Sequence, residues 1–377
     1  MRSNTLALLA AGSGLALLLS ACGNNSANPG TGNQPTGGGA APGGTGVKVG
    51  VILPDTKSSA RWESFDRPLL DKALKAAGIE PIIQNAEGDT GKFSTIADSM
   101  ISQGVKVLMI TNLSDESGAA IERKAKNAAI PVIDYDRLSL GGSADYYVSF
   151  NNTKVGQLQG QGLVECLKGK ANPQIIQING GPEDNNATLF KNGALSVLKP
   201  KYDAGEFKLS GDQAIAKWDN QLGNTTFQQL LTANGGKVDG VLAANDGLAG
   251  AVITALKKAG LAGQVPVTGQ DATEDGLAAI LRGEQCMTVL KPIDQEANAA
   301  AQLAIALAKG DKEAANKLAT ATERDPKGNR DVKSVLLTPE LINKDNVKKA
   351  TDSGFVKVAD VCKGDLAEKC KQAGITK

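Results

Sequence analysis

From Val47 onward, short β-branched runs alternate with amphipathic helical stretches, and this alternation limits the possible folds more than any other feature. Strand candidates are VKVGVILP (47–54), EPIIQNA (80–86), VKVLMITN (105–112), PVIDYDR (131–137) and DYYVSF (145–150). A second series follows: PQIIQING (173–180), EFKLSGDQ (206–213), DGVLAAND (239–246), VPVTGQD (265–271) and CMTVLKP (286–292). Between them lie helical patterns such as DRPLLDKALKAAG (66–78) and LAGAVITALKKAG (248–260), with apolar spacing near 3.6 and a glycine stop. Apolar strands separated by helices predict parallel sheets covered on both faces. So many strands are wide for one twisted open sheet. The expectation is therefore α/β, with two doubly wound parallel-sheet lobes and a change of lobe near residues 150–152.

In such sheets ligands bind outside the carboxyl ends of the strands. With two lobes facing each other, those ends line one cleft. Arg61 and Trp62 follow the first strand, and Asp136 and Arg137 the fourth. The second series supplies Asp184, Asn185, Asn186, Trp218, Asn245, Asp246, Asp271 and Lys291. Charges beside a buried strand need a partner, because an unpaired buried charge is costly. Carboxylates, cationic donors and two indoles suit a pyranose, whose hydroxyls each donate one hydrogen bond and accept others. Its C–H faces pack on flat rings such as Trp62 and Trp218.

Structural readings compete at several positions. Asp134 and Asp145 read as solvated loop charges or helix caps. Asp246 is either a helix N-cap or a ligand contact, and Asn185 reads as a turn support. Asp136 with Arg137 also reads as a structural ion pair, and Lys291 as a surface residue.

Composition excludes whole classes. The chain carries 41 Lys and Arg against 40 Asp and Glu, so no basic excess attracts nucleic acid. It has 0 His, which removes Ser-His-Asp triads and His-ligated zinc. No cofactor is expected.

At the N-terminus, Arg2 precedes the apolar run LALLAAGSGLALLL, which leads into LSAC at 19–22. This predicts a signal segment over 1–22 that is too short to span a bilayer comfortably. LSAC resembles the bacterial lipobox, in which Cys22 becomes the lipidated first residue. Residues 23–46, rich in Gly, Asn, Pro and Thr, read as a flexible tether. Four further cysteines fit no metal spacing. Cys362 and Cys370 bracket a short polar segment, and Cys166 with Cys286 is the remaining pairing; the spacing alone fixes neither.

The ordered motifs RW (61–62), YDR (135–137), SFNNTKVGQLQ (149–159), DNNATLFKNGA (184–194), GDQ (211–213), AND (244–246), GQDA (269–272) and MTVLKP (287–292) carry a family resemblance. The body resembles type I periplasmic sugar-binding proteins of bacterial ABC importers, in particular the D-xylose-binding and multiple-sugar-binding proteins. The resemblance implies that Arg61, Asp136, Arg137, Asn186, Asn245, Asp271 and Lys291 hydrogen-bond a sugar. It further implies that Trp62 and Trp218 stack on the sugar and that Asp184 lines the pocket. It implies a three-segment hinge, an N-terminal lobe of 47–151 plus 293–334, and a C-terminal lobe of 152–292 plus 335–377. The implied role is a monomeric, lipid-anchored receptor outside the cytoplasm that hands a monosaccharide to permease subunits. D-Xylose is the first choice; glucose, galactose or arabinose, or a sensing role, are the alternatives. The sequence departs from the family pattern at Asn151, Ala214 and Leu290, where Asp, an aromatic and Tyr are common. A repressor of the same core fold would need an N-terminal helix-turn-helix in place of the signal and tether. A glycoside hydrolase would need an acid with a raised pKa, whereas the neighbouring Arg and Lys are expected to keep these carboxylates ionised.

Overall fold

β1 (Lys48–Leu53) runs through the interior of the larger sheet of this computed structural model. The structure describes residues 46–376 apart from Ser353 and Phe355. The expected signal segment, Cys22 and all of the tether before Gly46 lie outside the described residues. The remaining strands on the first side are β2 (Glu80–Asn85), β3 (Val107–Ile110), β4 (Val132–Tyr135) and β5 (Tyr146–Phe150). On the second side come β6 (Gln174–Asn179), β7 (Lys208–Ala214), β8 (Gly240–Ala243) and β9 (Met287–Leu290). They are followed by β10 (Ala321–Asp325), β11 (Arg330–Leu337) and β12 (Glu340–Asn343).

The larger sheet has the order β10-β11-β5-β4-β3-β1-β2 and is parallel except at the β10–β11 pair. A second, parallel sheet has the order β7-β6-β8, and β9 pairs antiparallel with β12. Interior strands are buried on both faces, which is why they read as apolar runs rather than alternating ones. β2, at an edge, is only half-buried and accommodates Pro81. The expected strand 265–271 is reduced to a single parallel bridge, Val241 to Val267. Beyond it the Thr268 hydroxyl, rather than the backbone, meets the amide and carbonyl of Ala243, each at 3.0 Å.

Side-chain alternation distributes the first sheet between two cores. Val49, Val51, Met109, Ile133 and Tyr135 pack on one face, while Ile52, Leu108, Ile110 and Val132 pack on the other. Helix Ile293–Ala308 adds Ala297, Ala300, Ala301 and Ala304 to the first of these cores. The segment after β9 thus returns to the larger sheet, and β11 stays paired with β5 as far as Leu337, past the expected return at Val335. The short helices after β12 cover helix Glu274–Arg282 with Val361, Leu366 and Ile375. The structure bonds Cys362 to Cys370 within this tail, and Cys166 to Cys286 in front of β9.

Helix Asn152–Cys166 crosses helix Asn185–Asp203 at very short range. A Cβ added at Gly156 would stand 1.9 Å from the Phe190 carbonyl oxygen, and one at Gly193 would stand 2.1 Å from that of Thr153. Only glycine permits this approach. Gly156→Ala should therefore separate the helices and destabilise the fold by roughly 1–3 kcal/mol, as read by equilibrium urea denaturation.

Candidate ligand-binding site

Strand ends from both sheets converge on one cavity with about 340 Å³ of empty space, part of it open to solvent. After β1, the Asp55 carboxylate accepts from the amides of Lys57 and Ser58 at 2.7 and 2.6 Å, shaping the loop that leads to Arg61. Arg61 and Trp62 open a wide helical turn, Trp62–Asp66. The buried Arg61 guanidinium donates through Nε and Nη2 to both oxygens of Asp66, at 2.9 and 2.8 Å. Nη2 also donates to Glu296 at 2.6 Å, and Nη1 to Asp136 at 2.8 Å. These bonds occupy all but one of the five N–H groups of a guanidinium. The Trp62 ring lies 4.4 Å from the Arg61 guanidinium carbon and 5.6 Å from that of Arg137.

Alternation along β4 separates its charges. Tyr135 faces the side of Asp66 and donates to it. Asp134 faces the other side, fully buried, and accepts from the Ser139 amide at 2.7 Å. It is therefore not the solvated charge that the sequence suggested, but a buried tie for the following loop. The exposed Asp145 holds the start of β4 through the Val132 amide. Asp136 has φ 64°, and its carbonyl accepts from Tyr147, Ser149 and Asn186 at 3.0, 2.9 and 2.9 Å. Arg137 donates to the Asn112 carbonyl at 3.2 Å. Its Nε lies 3.2 Å from Asp184 without the alignment of a hydrogen bond.

On the second side, Asp184 caps helix Asn185–Asp203 and accepts from the Trp218 indole at 3.1 Å. Trp218 has φ 53° and meets Phe190 edge-on, with centroids 6.3 Å apart. Asn245 caps helix Asp246–Lys258. Asp246 is neither that cap nor part of the cavity wall. It is buried under the loop that carries Asp271, accepting from Thr273, Gln285 and Thr288, with its amide bond from Thr273 at 2.8 Å. Asp271 has φ 100° and an oxygen 3.1 Å from the Lys291 ammonium.

The cavity wall thus brings together Arg61, Trp62, Asp136, Arg137, Asp184, Asn186, Trp218, Asn245, Asp271 and Lys291. Sequence reasoning missed Ser58, Ser59, Phe190 and Gln270 on the wall. It also missed Asp66, Tyr135 and Glu296 behind Arg61. Phe190 and Gln270 stand inside the quoted motifs, which was the available signal. Ala214 and Leu290, where the sequence departs from the family pattern, are not on the wall.

Burial opposes charge throughout, and the neighbours decide the outcome. Burial would raise Asp136, but Arg61, Lys291 and Arg137 hold it below the usual carboxylate range. For Asp184 burial outweighs Arg137 and the acid is raised, contrary to the expectation that every acid here stays readily ionised. Burial also pushes Asp246 up to about 7 and Glu296 up to about 8. Lys291 is raised because Asp271 and Asp136 overcome its burial. Three buried polar atoms on the wall lack a hydrogen-bond partner: Arg137 Nε, Gln270 Oε1 and Asp271 Oδ1.

Trp218 fits because residue 180 has no side chain: a Cβ there would stand 2.1 Å from the indole ring. Gly180→Ala should displace the ring and cost roughly 1–3 kcal/mol of stability, checked by urea denaturation followed through tryptophan emission.

The sequence profile described as "periplasmic binding protein domain" matches residues 49–312. The D-xylose-binding periplasmic protein of Escherichia coli K12 is 37% identical over 84% of this chain and 92% of its own length. The multiple sugar-binding periplasmic receptor ChvE of Rhizobium radiobacter is 36% identical over the same shares. An ABC transporter solute-binding protein from Clostridium phytofermentans, solved with β-D-glucose, superposes with a TM-score of 0.76 at 31% identity. That match covers 83% of this chain and 99% of the solved one. These relatives are solute-binding proteins rather than enzymes, and the chain is not an enzyme. With the type I periplasmic-binding-protein fold and this match over most of its length, the chain belongs to the periplasmic binding protein domain family.

Proposed function

We propose that the chain is a receptor outside the cytoplasm that binds one monosaccharide in this cavity and delivers it to an ABC permease. One observation carries the reading: two indoles share the cavity with buried Gln270 Oε1, which has no hydrogen-bond partner, and with Arg137 Nε and Asp271 Oδ1, which face the opposite charges of Asp184 and Lys291 without a hydrogen bond. Each unmet buried polar atom costs about 1–3 kcal/mol, a cost that sugar hydroxyls would relieve. The pyranose C–H faces would lie against Trp62 and Trp218, with Asn186, Asn245, Asp136 and Lys291 completing the hydroxyl partners. The two sides part and close about the connecting strands to admit and hold the ligand.

D-Xylose is the first choice, supported by the identity to D-xylose-binding proteins. D-Glucose is the second reading, supported by two solved neighbours, 31% and 30% identical, that hold glucose. Presenting the bound sugar to a chemoreceptor or sensor would use the same site. Among the described residues no helix is long and apolar enough to cross a membrane. The LSAC motif at 19–22 supports attachment to the membrane through a lipid on Cys22.

Calorimetric titration with D-xylose, D-glucose, D-galactose and L-arabinose tests the reading; absence of binding to all four would end it. A sugar at a hundred times its Kd should add about 2.7 kcal/mol of stability. Asp136→Asn keeps a residue that tolerates positive φ and leaves Arg61 with Asp66 and Glu296, and Lys291 with Asp271. It should preserve the fold and weaken sugar binding about tenfold, the step from a charged to a neutral hydrogen bond. For the anchor, Cys22→Ser should release the protein from the membrane fraction or block its processing. Unchanged fractionation of correctly cleaved protein would remove the lipid.

A further inference from the structure

Glu296 stands behind the cavity wall, in the first turn of helix Ile293–Ala308, and is fully buried. Oε2 accepts from Arg61 Nη2 at 2.6 Å, while Oε1 has no hydrogen-bond partner. Charged and titratable groups face it from every neighbouring segment. Arg61 and Asp66 flank the wide turn, Tyr135 ends β4, Asp136 follows it, and Lys291 follows β9. Together with Asp184, Asp271 and Arg137, the buried acids here outnumber the buried bases by five (Asp66, Asp136, Asp184, Asp271, Glu296) to three (Arg61, Arg137, Lys291). Surplus negative charge held in a buried site is costly.

We propose that Glu296 is a positioning residue for the cavity: it fixes the Arg61 guanidinium from behind, and an exchangeable proton on its carboxyl makes ligand affinity depend on pH. The affinity half of this inference rests on the sugar-binding reading. A neutral carboxyl still accepts from Arg61 through Oε2 while removing one surplus charge. Burial is the largest influence on Glu296 and, against the pull of Arg61, lifts it to about 8. A sugar displaces cavity water and makes the charged form costlier still, so the complex holds the proton more tightly than the empty protein. By linkage, affinity is full while both states are protonated and declines as pH rises through about 8. A sugar that tightens proton binding about tenfold loses about tenfold in affinity across that window.

The test titrates D-xylose and D-glucose calorimetrically into the full chain and its Glu296→Gln and Glu296→Ala variants at pH 6.5 and 9.5. Thermal melts without sugar accompany it from pH 5 to 9.5. The wild type should bind about tenfold more weakly at pH 9.5. Glu296→Gln, which keeps an acceptor for Arg61, should stay within about threefold of the wild type at pH 6.5 and show no such decline. Glu296→Ala, which removes the contact behind Arg61 and leaves the guanidinium held by Asp66 and Asp136 alone, should bind about tenfold more weakly or worse at both pH values. A wild-type decline in Glu296→Gln, or wild-type affinity in Glu296→Ala, overturns the proposal.

The melts stand apart from the sugar. A carboxyl raised by folding penalises the native state as pH climbs from its unfolded value toward about 8. The wild type should therefore lose melting temperature relative to Glu296→Gln between pH 5 and 8. Asp246 titrates in both proteins and cancels. A difference that does not change with pH overturns the proton. If neither sugar binds the wild type while the melts diverge as expected, the sugar reading fails and the Glu296 proton stands.

Discussion

The buried guanidinium of Arg61 is the interaction on which the cavity depends. A cation taken out of water is tolerated only where carboxylates and further hydrogen bonds surround it. Arg61 finds them on three segments: the helical turn that follows it, the end of β4, and helix Ile293–Ala308, 235 residues away. Removing any one of the three leaves two, so no single loss strands the charge. The same contacts explain why the segment after β9 must return to the larger sheet: helix Ile293–Ala308 supplies both an alanine-rich packing face and the carboxyl behind the guanidinium.

Around that anchor the backbone is held in unusual conformations. Asp136, Trp218 and Asp271 all have positive φ, which side chains other than glycine adopt at a cost. Each is restrained by bonds from elsewhere. The Asp136 carbonyl collects three donors, Trp218 is tied through its indole to Asp184, and the Asp271 amide donates to Val289 at 2.9 Å. Asp246 secures the far side of the Asp271 loop. The strain is concentrated where strand ends turn their side chains inward, and the second ring of polar residues maintains it.

Much of this was legible in the sequence. Parallel strands buried on both faces leave continuous apolar runs, and the residues just past their ends are few enough to inspect one by one. β10 to β12 were missed because they form antiparallel pairings, with β10 and β11 carrying charged, alternately exposed residues. The run 265–271 looked like a strand, but the Thr268 hydroxyl takes over the ladder after one bridge. Asp134 looked exposed because sequence shows the charge and not the face. Nothing in the sequence singles out Asp66 or Glu296, and only the folded chain brings them to Arg61.

The cavity's cations are paired from within, at contact distance and away from bulk solvent, by carboxylates belonging to the same chain. Ions in the surrounding medium act through screening, which is effective for exposed charges separated by more than a Debye length and weak for buried pairs in contact. An uncharged ligand entering such a site neither releases nor recruits counterions. A protein working outside the cytoplasm meets whatever salinity the environment imposes, and this arrangement insulates its grip on a neutral solute from that variable.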